Sequence, residues 1–268
     1  MQTDMYLSPL ARKILGALSI GVVVFLFLPI AYVALLAFNK SNGLTFTGFS
    51  TKWWAFALND DSISSEVREA LTGSVKTALL ATLISLVLGT LAAFAVQRFE
   101  FFGRETISFF VILPIALPGI ITGIALNAGF RQVLQVKLGF LTLVVAHATF
   151  CIVVVFNNVV ARLRRLPGNL EEASADLGAN SFQTFVYVTF PLLRSALFAG
   201  ALLAFALSFD EIVVTTFTAG AGFRTLPQFI LANYARPNNA PVVNVVAVTV
   251  LIASIIPAYL AQRLSGDD

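Results

Sequence analysis

The sequence predicts an all-α, polytopic membrane protein with six transmembrane helices. Three observations carry that prediction. Of the 268 residues, 58% are hydrophobic and 12% charged, about half the charge of an ordinary soluble domain. Mean hydropathy is +0.87. The apolar residues also gather into six windows, each near the roughly 20 residues that cross a bilayer. A soluble fold of this size could not hide so much apolar surface. Disorder, a disulfide scaffold and a nucleic-acid binder are excluded with it. The single cysteine, Cys151, has no partner in the chain, and the net charge of +3 comes from scattered Lys and Arg.

The windows follow in order. Residues 14–38, 77–96 and 106–127 carry no charge, 138–161 holds His147, 195–217 holds Asp210 and Glu211, and 242–262 is uncharged. The first is too long for a signal-peptide core and no small-residue cleavage site follows it, so it is expected to remain as a span. Six spans put both termini on one side. With the termini cytoplasmic, the inner segments hold nine Lys/Arg and the outer segments eight. Arg162, Arg164 and Arg165, clustered at a span end, are the strongest argument for that orientation. The third window reads LPIALPGIITG, with Pro114 and Pro118 ahead of Gly119 and Gly123. Proline removes a helix hydrogen bond and clashes with the preceding turn, so a bent helix is expected. Two readings of the bend stand: an ordinary kink in a bundle, or a helix bent around a cavity. The polar stretch 39–76, with Trp53 and Trp54, is expected to lie on the membrane surface as short helices.

The stretch between the fourth and fifth windows, residues 162–194, is the most informative loop. It contains PGNLEEASADLGANSFQTFVYVTFP, Pro167 to Pro191. Pro167 and Gly168 make a turn. Asn169 is expected as N-cap, with Glu172 three residues later at the capping-box position. Glu171 and Glu172 place negative charge at the positive helix end, and Gly178 ends the helix in a left-handed conformation. The product is a stiff two-turn helix. One reading makes it a surface connector; the other notes that a loop this long exceeds what span joining needs.

Asp210 and Glu211 are the sole carboxylates in any window. Each costs about 2.5–3.5 kcal/mol at the bilayer centre, and such groups face a cavity or a partner. In a continuous helix Asp210 lies roughly 22 Å from the inner end of its span, at 1.5 Å per residue. Ala204, Ser208, Glu211, Thr215 and Thr218 then share one stripe. Glu211 is accordingly expected to face a translocation path with Ser208 and Thr215 beside it, and Asp210 to hydrogen-bond a neighbouring span. The alternative makes both carboxylates structural. Carboxylates suit an ammonium-bearing substrate, and Tyr32 and Tyr234 are candidates for cation–π contacts or for interfacial anchors. His147 reads as a satisfied packing residue or as a proton or substrate group.

No GxxxxGK[ST] loop is present, so the chain has no phosphate cradle of its own. No HExxH, no Cys/His cluster and no Ser–His arrangement points to catalysis or to a metal. The chain reads as a conduit.

The loop resembles the signature of permease subunits of ABC importers, E-A-A, three residues, G, nine residues, I-x-L-P. Glu172, Ala173 and Ser174 fill the first places, Gly178 follows at the required spacing, and Val188, Thr189, Phe190 and Pro191 stand nine residues on. Within that family the chain is similar to the second permease subunit of spermidine/putrescine-type importers. The similar segments are Thr45–Ser62, His147–Cys151, Leu207–Phe217 and Arg224–Pro227. It departs where many relatives carry an acidic residue after the proline of the third span: here Gly119 follows Pro118. The resemblance implies a type I ABC importer permease fold in a bacterial cytoplasmic membrane, with the loop cytoplasmic. It implies a second permease subunit, two ATPase subunits that bind ATP and Mg, and an extracytoplasmic binding protein. It makes Glu171, Glu172, Ala173, Asp176 and Gly178 the ATPase-coupling residues. The same machine for iron, a sugar or an inorganic anion, and an ATP-independent secondary transporter, are the alternatives.

Overall fold

The computed structural model describes residues 9–43, 45–167, 169–234, 236 and 240–265. All regular structure among them is helical, apart from one isolated bridge between Asn39 and Phe49. Among the described residues four helices are long and apolar enough to cross a membrane: Leu10–Leu36, Ile63–Arg98, Phe140–Leu163 and Ser181–Phe209. The six-span expectation is met in part, and the third expected span is the one divided by a helix break.

The chain divides into two compact units, one of Met1–Ser64 with Ala232–Ser254, the other of Ser65–Leu231 with Ile255–Asp268. In the first, α1 (Pro9–Leu36) is exposed along most of its length, as expected of a helix solvated by lipid. A loop organised by Asn39 follows. Its amide donates to the carbonyls of Gly43 and Thr45, and its Oδ1 accepts from the Thr47 amide. Short α2 (Lys52–Asn59) carries Trp53 and Trp54, which pack with Ala37, Val245 and Val248. The last two belong to α12 (Ala240–Ser265), whose described apolar stretch, Pro241–Ile255, is shorter than a full span.

The second unit is built around α6 (Phe140–Leu163), buried on most of its circumference. Helix α3 (Asp61–Arg98) runs 38 residues, about 57 Å at 1.5 Å per residue, well beyond a 30 Å hydrocarbon core. It thereby absorbs much of the stretch expected as short surface helices. Ala81, Ser85, Gly89 and Ala93 recur every fourth residue along one buried stripe. Such small side chains let helix backbones approach closely. A Cβ at Gly89 would stand 3.0 Å from the Ile152 carbonyl oxygen of α6, and the Ser85 hydroxyl donates to the Ala148 carbonyl at 3.3 Å.

The third expected span is two helices, α4 (Arg104–Ala116) and α5 (Gly119–Ala128). Pro114 is accommodated inside α4, whereas Leu117 is extended (φ −87°, ψ 142°) and Pro118 precedes α5. The residue before a proline is driven out of the helical region, so the expected bend is a break. The fifth expected span also differs at both ends. It starts earlier, as α8 (Ser181–Thr184) runs through a π-helical turn, Phe185–Thr189, into α9 (Phe190–Phe209). It stops at Asp210 and resumes as α10 (Val213–Thr218).

Candidate functional site

The break in the fifth span is held by three polar rungs from α6. The Thr142 hydroxyl stands 3.0 Å from the Thr218 carbonyl and 2.9 Å from the Gly139 carbonyl, which share its one proton, and the Cys151 thiol donates to the Ala204 carbonyl at 3.3 Å. Between them His147, fully buried, reaches both sides of the break. Its Nδ1 lies 2.8 Å from Ser208 Oγ on α9, and its Nε2 lies 2.8 Å from Thr215 Oγ1 on α10. The Thr215 hydroxyl donates its proton to the Glu211 carbonyl at 2.6 Å. A hydroxyl has one proton, so Thr215 Oγ1 accepts from Nε2–H, and Nδ1 accepts from the Ser208 hydroxyl.

Asp210 and Glu211 fall on different sides of this arrangement. In an unbroken helix the Val214 amide would donate to the Asp210 carbonyl. Here it donates to the Glu211 carboxylate at 2.9 Å. Glu211 thus caps α10 and is half-buried, whereas Asp210 is exposed. Among the described residues the Asp210 side chain makes no hydrogen bond or ion pair, so the expected bond to a neighbouring span is absent. Ala204, Ser208, Thr215 and Thr218 of the expected stripe do share one buried face, but it lies against α6 and not along a path. Ser208 and Thr215 are buried against α6, their hydroxyls satisfied by His147, instead of flanking an exposed Glu211. The sequence signal that could have found this is the pairing of a lone buried histidine with hydroxyls seven residues apart. His147 takes the packing role. Tyr32, on α1, is 46% exposed, and Tyr234 is 54% exposed at the end of α11 (Leu226–Tyr234).

Helix α5 meets α10 directly. A Cβ at Gly123 would lie 2.7 Å from the Phe217 ring, and the Asn127 amide donates to the Phe217 carbonyl. The two broken spans therefore pack against each other through the halves that follow their breaks.

The second site is the loop helix α7 (Asn169–Asp176). It begins at Asn169 itself, and the expected Asn169–Glu172 capping bond is not made. A reciprocal box lies eleven residues on. The Gln183 amide donates to Asn180 Oδ1, and the Asn180 amide donates to Gln183 Oε1, both at 2.9 Å. The C-terminus is as expected. Gly178 has φ +86°, its amide donates to the Ala175 carbonyl and the Ala179 amide to the Ser174 carbonyl, the paired bonds of a Schellman motif. The helix is two-faced. Glu172, Ala173, Asp176 and Gly178 are exposed, with Leu177 at 90%. Glu171 turns inward to Arg98 at 3.1 Å and accepts from the Thr189 hydroxyl, and Ser174 bonds Thr184 at 3.0 Å. Sequence spacing groups Glu171 with the exposed residues; its partner Arg98, 73 positions earlier, leaves no local signal.

A helical chain with several apolar helices of membrane-spanning length, broken spans and an exposed loop helix is that of a multi-pass membrane protein. Residues 85–266 match the model of the binding-protein-dependent transport system inner membrane component, and the chain belongs to that family. It is 32% identical over 259 residues to the spermidine/putrescine transport system permease protein PotC of Escherichia coli K12, covering 96% of each chain. It is 34% identical over 247 residues to the putrescine transport system permease protein PotI of the same strain, covering 90% of this chain and 86% of that one. The fold matches a chain of a bacterial ABC transporter involved in alginate import, with TM-score 0.71, 17% identity and 96% and 98% coverage. It also matches the MetNI methionine ABC transporter in an inward-facing conformation, with TM-score 0.58, 22% identity and 74% and 92% coverage. The chain is a permease subunit of an ABC importer and a multi-pass membrane protein.

Proposed function

We propose that this permease carries a polyamine, putrescine or spermidine, across a bacterial cytoplasmic membrane by alternating access. The observation that carries the reading is Asp210, an exposed carboxylate at a helix break within a predominantly apolar span. An intramembrane charge left without a protein partner calls for a cationic one. Similarity to PotC and PotI over nine-tenths of the chain or more supports the same substrate class. Asp210 then attracts the ammonium groups, Glu211 maintains the break, and Ser208 and Thr215 support the path from behind.

In this reading both termini and α7 are cytoplasmic. A second permease subunit completes the path, an extracytoplasmic binding protein delivers substrate, and two separate ATPase subunits bind ATP and Mg. The exposed face of α7, with Glu172, Ala173, Asp176 and Leu177, seats in an ATPase subunit. Glu171 braces that helix from behind, and Gly178 fixes its end.

The test is uptake of labelled putrescine and spermidine by cells lacking this chain, with and without a plasmid copy. Restored uptake whose KM rises in Asp210→Asn supports the proposal. Inserted protein that co-purifies with an ATPase yet restores no uptake overturns the polyamine assignment.

A further inference from the structure

We infer that His147 is a positioning residue of the transport path: it clamps the two pieces of the broken fifth span in one register and so fixes where Asp210 stands. The inference deepens the proposed function, because it takes the Asp210 break as the substrate's contact point.

The geometry is specific. The α-helical ladder of the fifth span stops with the Asp210 amide on the Ala206 carbonyl and resumes with the Thr216 amide on Ile212. Between those bonds nothing in the backbone holds α9 to α10 at a fixed angle. One imidazole spans the gap, with Ser208 two residues before Asp210 and Thr215 five residues after it, each at 2.8 Å. The hydrogen-bond chain continues through Thr215 into the Glu211 carbonyl, so a single direction of donation runs from Ser208 through the ring into the backbone beside Asp210. His147 itself sits on α6, an uninterrupted 24-residue helix, which is the rigid element of the group. The rungs above and below are weaker anchors for the break. Thr142 shares its proton between the Thr218 carbonyl and the Gly139 carbonyl of its own helix start, and Cys151 reaches one backbone carbonyl on one side. A purely apolar residue at 147 would leave two hydroxyls buried without their present partner and would free the angle between α9 and α10. The change His147→Phe keeps a planar aromatic ring, somewhat larger than the imidazole, and removes both bonds.

The experiment uses the full chain assembled with its ATPase. Ile212, half-buried between the two pieces, is replaced by cysteine, and its modification by a small methanethiosulfonate is timed in membranes. Cys151 is buried, so the chain without the Ile212→Cys change is the blank. His147→Phe is expected to raise the labelling rate of Ile212→Cys about tenfold. It should raise the KM for putrescine by a similar factor, equivalent to about 1.4 kcal/mol, with turnover per inserted permease changed less than twofold. Thr215→Val should reproduce both effects and Thr215→Ser neither, and His147→Phe with Thr215→Val should be no worse than His147→Phe alone. Labelling and KM that stay unchanged in inserted His147→Phe overturn the clamp. If His147→Phe does not insert, unchanged labelling in Thr215→Val overturns it equally. An unchanged KM in Asp210→Asn, alongside raised labelling in His147→Phe, overturns the path assignment and leaves the clamp standing.

Discussion

The Arg98 guanidinium stands 3.1 Å from the Glu171 carboxylate, and the two side chains are 22% and 30% exposed. The pair joins the last turn of α3 to the first turn of α7. The loop helix is thereby braced against a long span, and the Thr189 hydroxyl adds a second contact to the same carboxylate. Partly exposed pairs are worth about 0.2–1 kcal/mol, small for folding but large against a coupling step. Glu171→Ala and Arg98→Ala should each lower uptake about fivefold, equivalent to ~1 kcal/mol, with unchanged membrane levels. The swapped double variant, Arg98→Glu with Glu171→Arg, should recover part of the loss. Equal uptake in all three would remove the brace from the transport cycle.

Gly178 offers a cleaner test of the stiffness of α7. At φ +86° a side chain costs about 1–2 kcal/mol, and a β-branched one more, since the left-handed region is closed to it. No atom lies within 4 Å of a Cβ built there, so backbone strain is the whole effect. Gly178→Val should separate ATP hydrolysis from uptake, whereas Gly178→Asn, which tolerates this conformation, should keep most of the coupling. The ratio of ATP hydrolysed to substrate taken up, measured in proteoliposomes, reads the difference.

These residues show what a sequence makes legible. The apolar windows, the bend at Pro118, the exposed loop helix and the left-handed Gly178 are all local: each follows from hydropathy, proline geometry or glycine's freedom within a few positions. The break at Asp210 is not local. Nothing between Phe209 and Val213 forbids a helix by propensity. The helix stops because Glu211 captures the Val214 amide and His147 holds hydroxyls on both sides. A continuous helix is the default reading, and with it the stripe through Ser208 and Thr215 is taken to face a path when it faces α6. The inward turn of Glu171 is hidden for the same reason, since it depends on Arg98 on another helix. The small-residue stripe on α3 was readable at four-residue spacing, and it accounts for the close approach of α3 to α6.

Close packing of α5 on α10 gives a stability prediction. A methyl group at Gly123 would meet the Phe217 ring at 2.7 Å, and overpacking of this kind costs about 1–3 kcal/mol. Gly123→Ala should lower the midpoint of thermal aggregation in detergent by several degrees, and Phe217→Leu should restore it by making room. A double variant as unstable as Gly123→Ala alone would place the strain elsewhere.

The two neighbouring carboxylates of the fifth span provide the sharpest contrast, because geometry gives them opposite duties. Glu211 accepts from the Val214 amide at 2.9 Å; Asp210 is exposed. Glu211→Gln retains a carbonyl oxygen able to take the same amide, so it should keep the break, the membrane level and a KM near that of the unsubstituted chain. Glu211→Ala removes the cap, a loss of about 1 kcal/mol, and should lower the amount of inserted protein while sparing KM in what remains. Asp210→Asn keeps the shape and removes the charge. It should raise the putrescine KM about tenfold or more with normal insertion, and the rise should shrink as ionic strength increases, because screening already weakens the attraction of an exposed charge. Initial uptake rates at low and high salt, normalised to inserted protein, separate the two residues. A KM that rises in Glu211→Gln and not in Asp210→Asn would reverse their roles and make Glu211 the substrate's partner despite its bond to Val214.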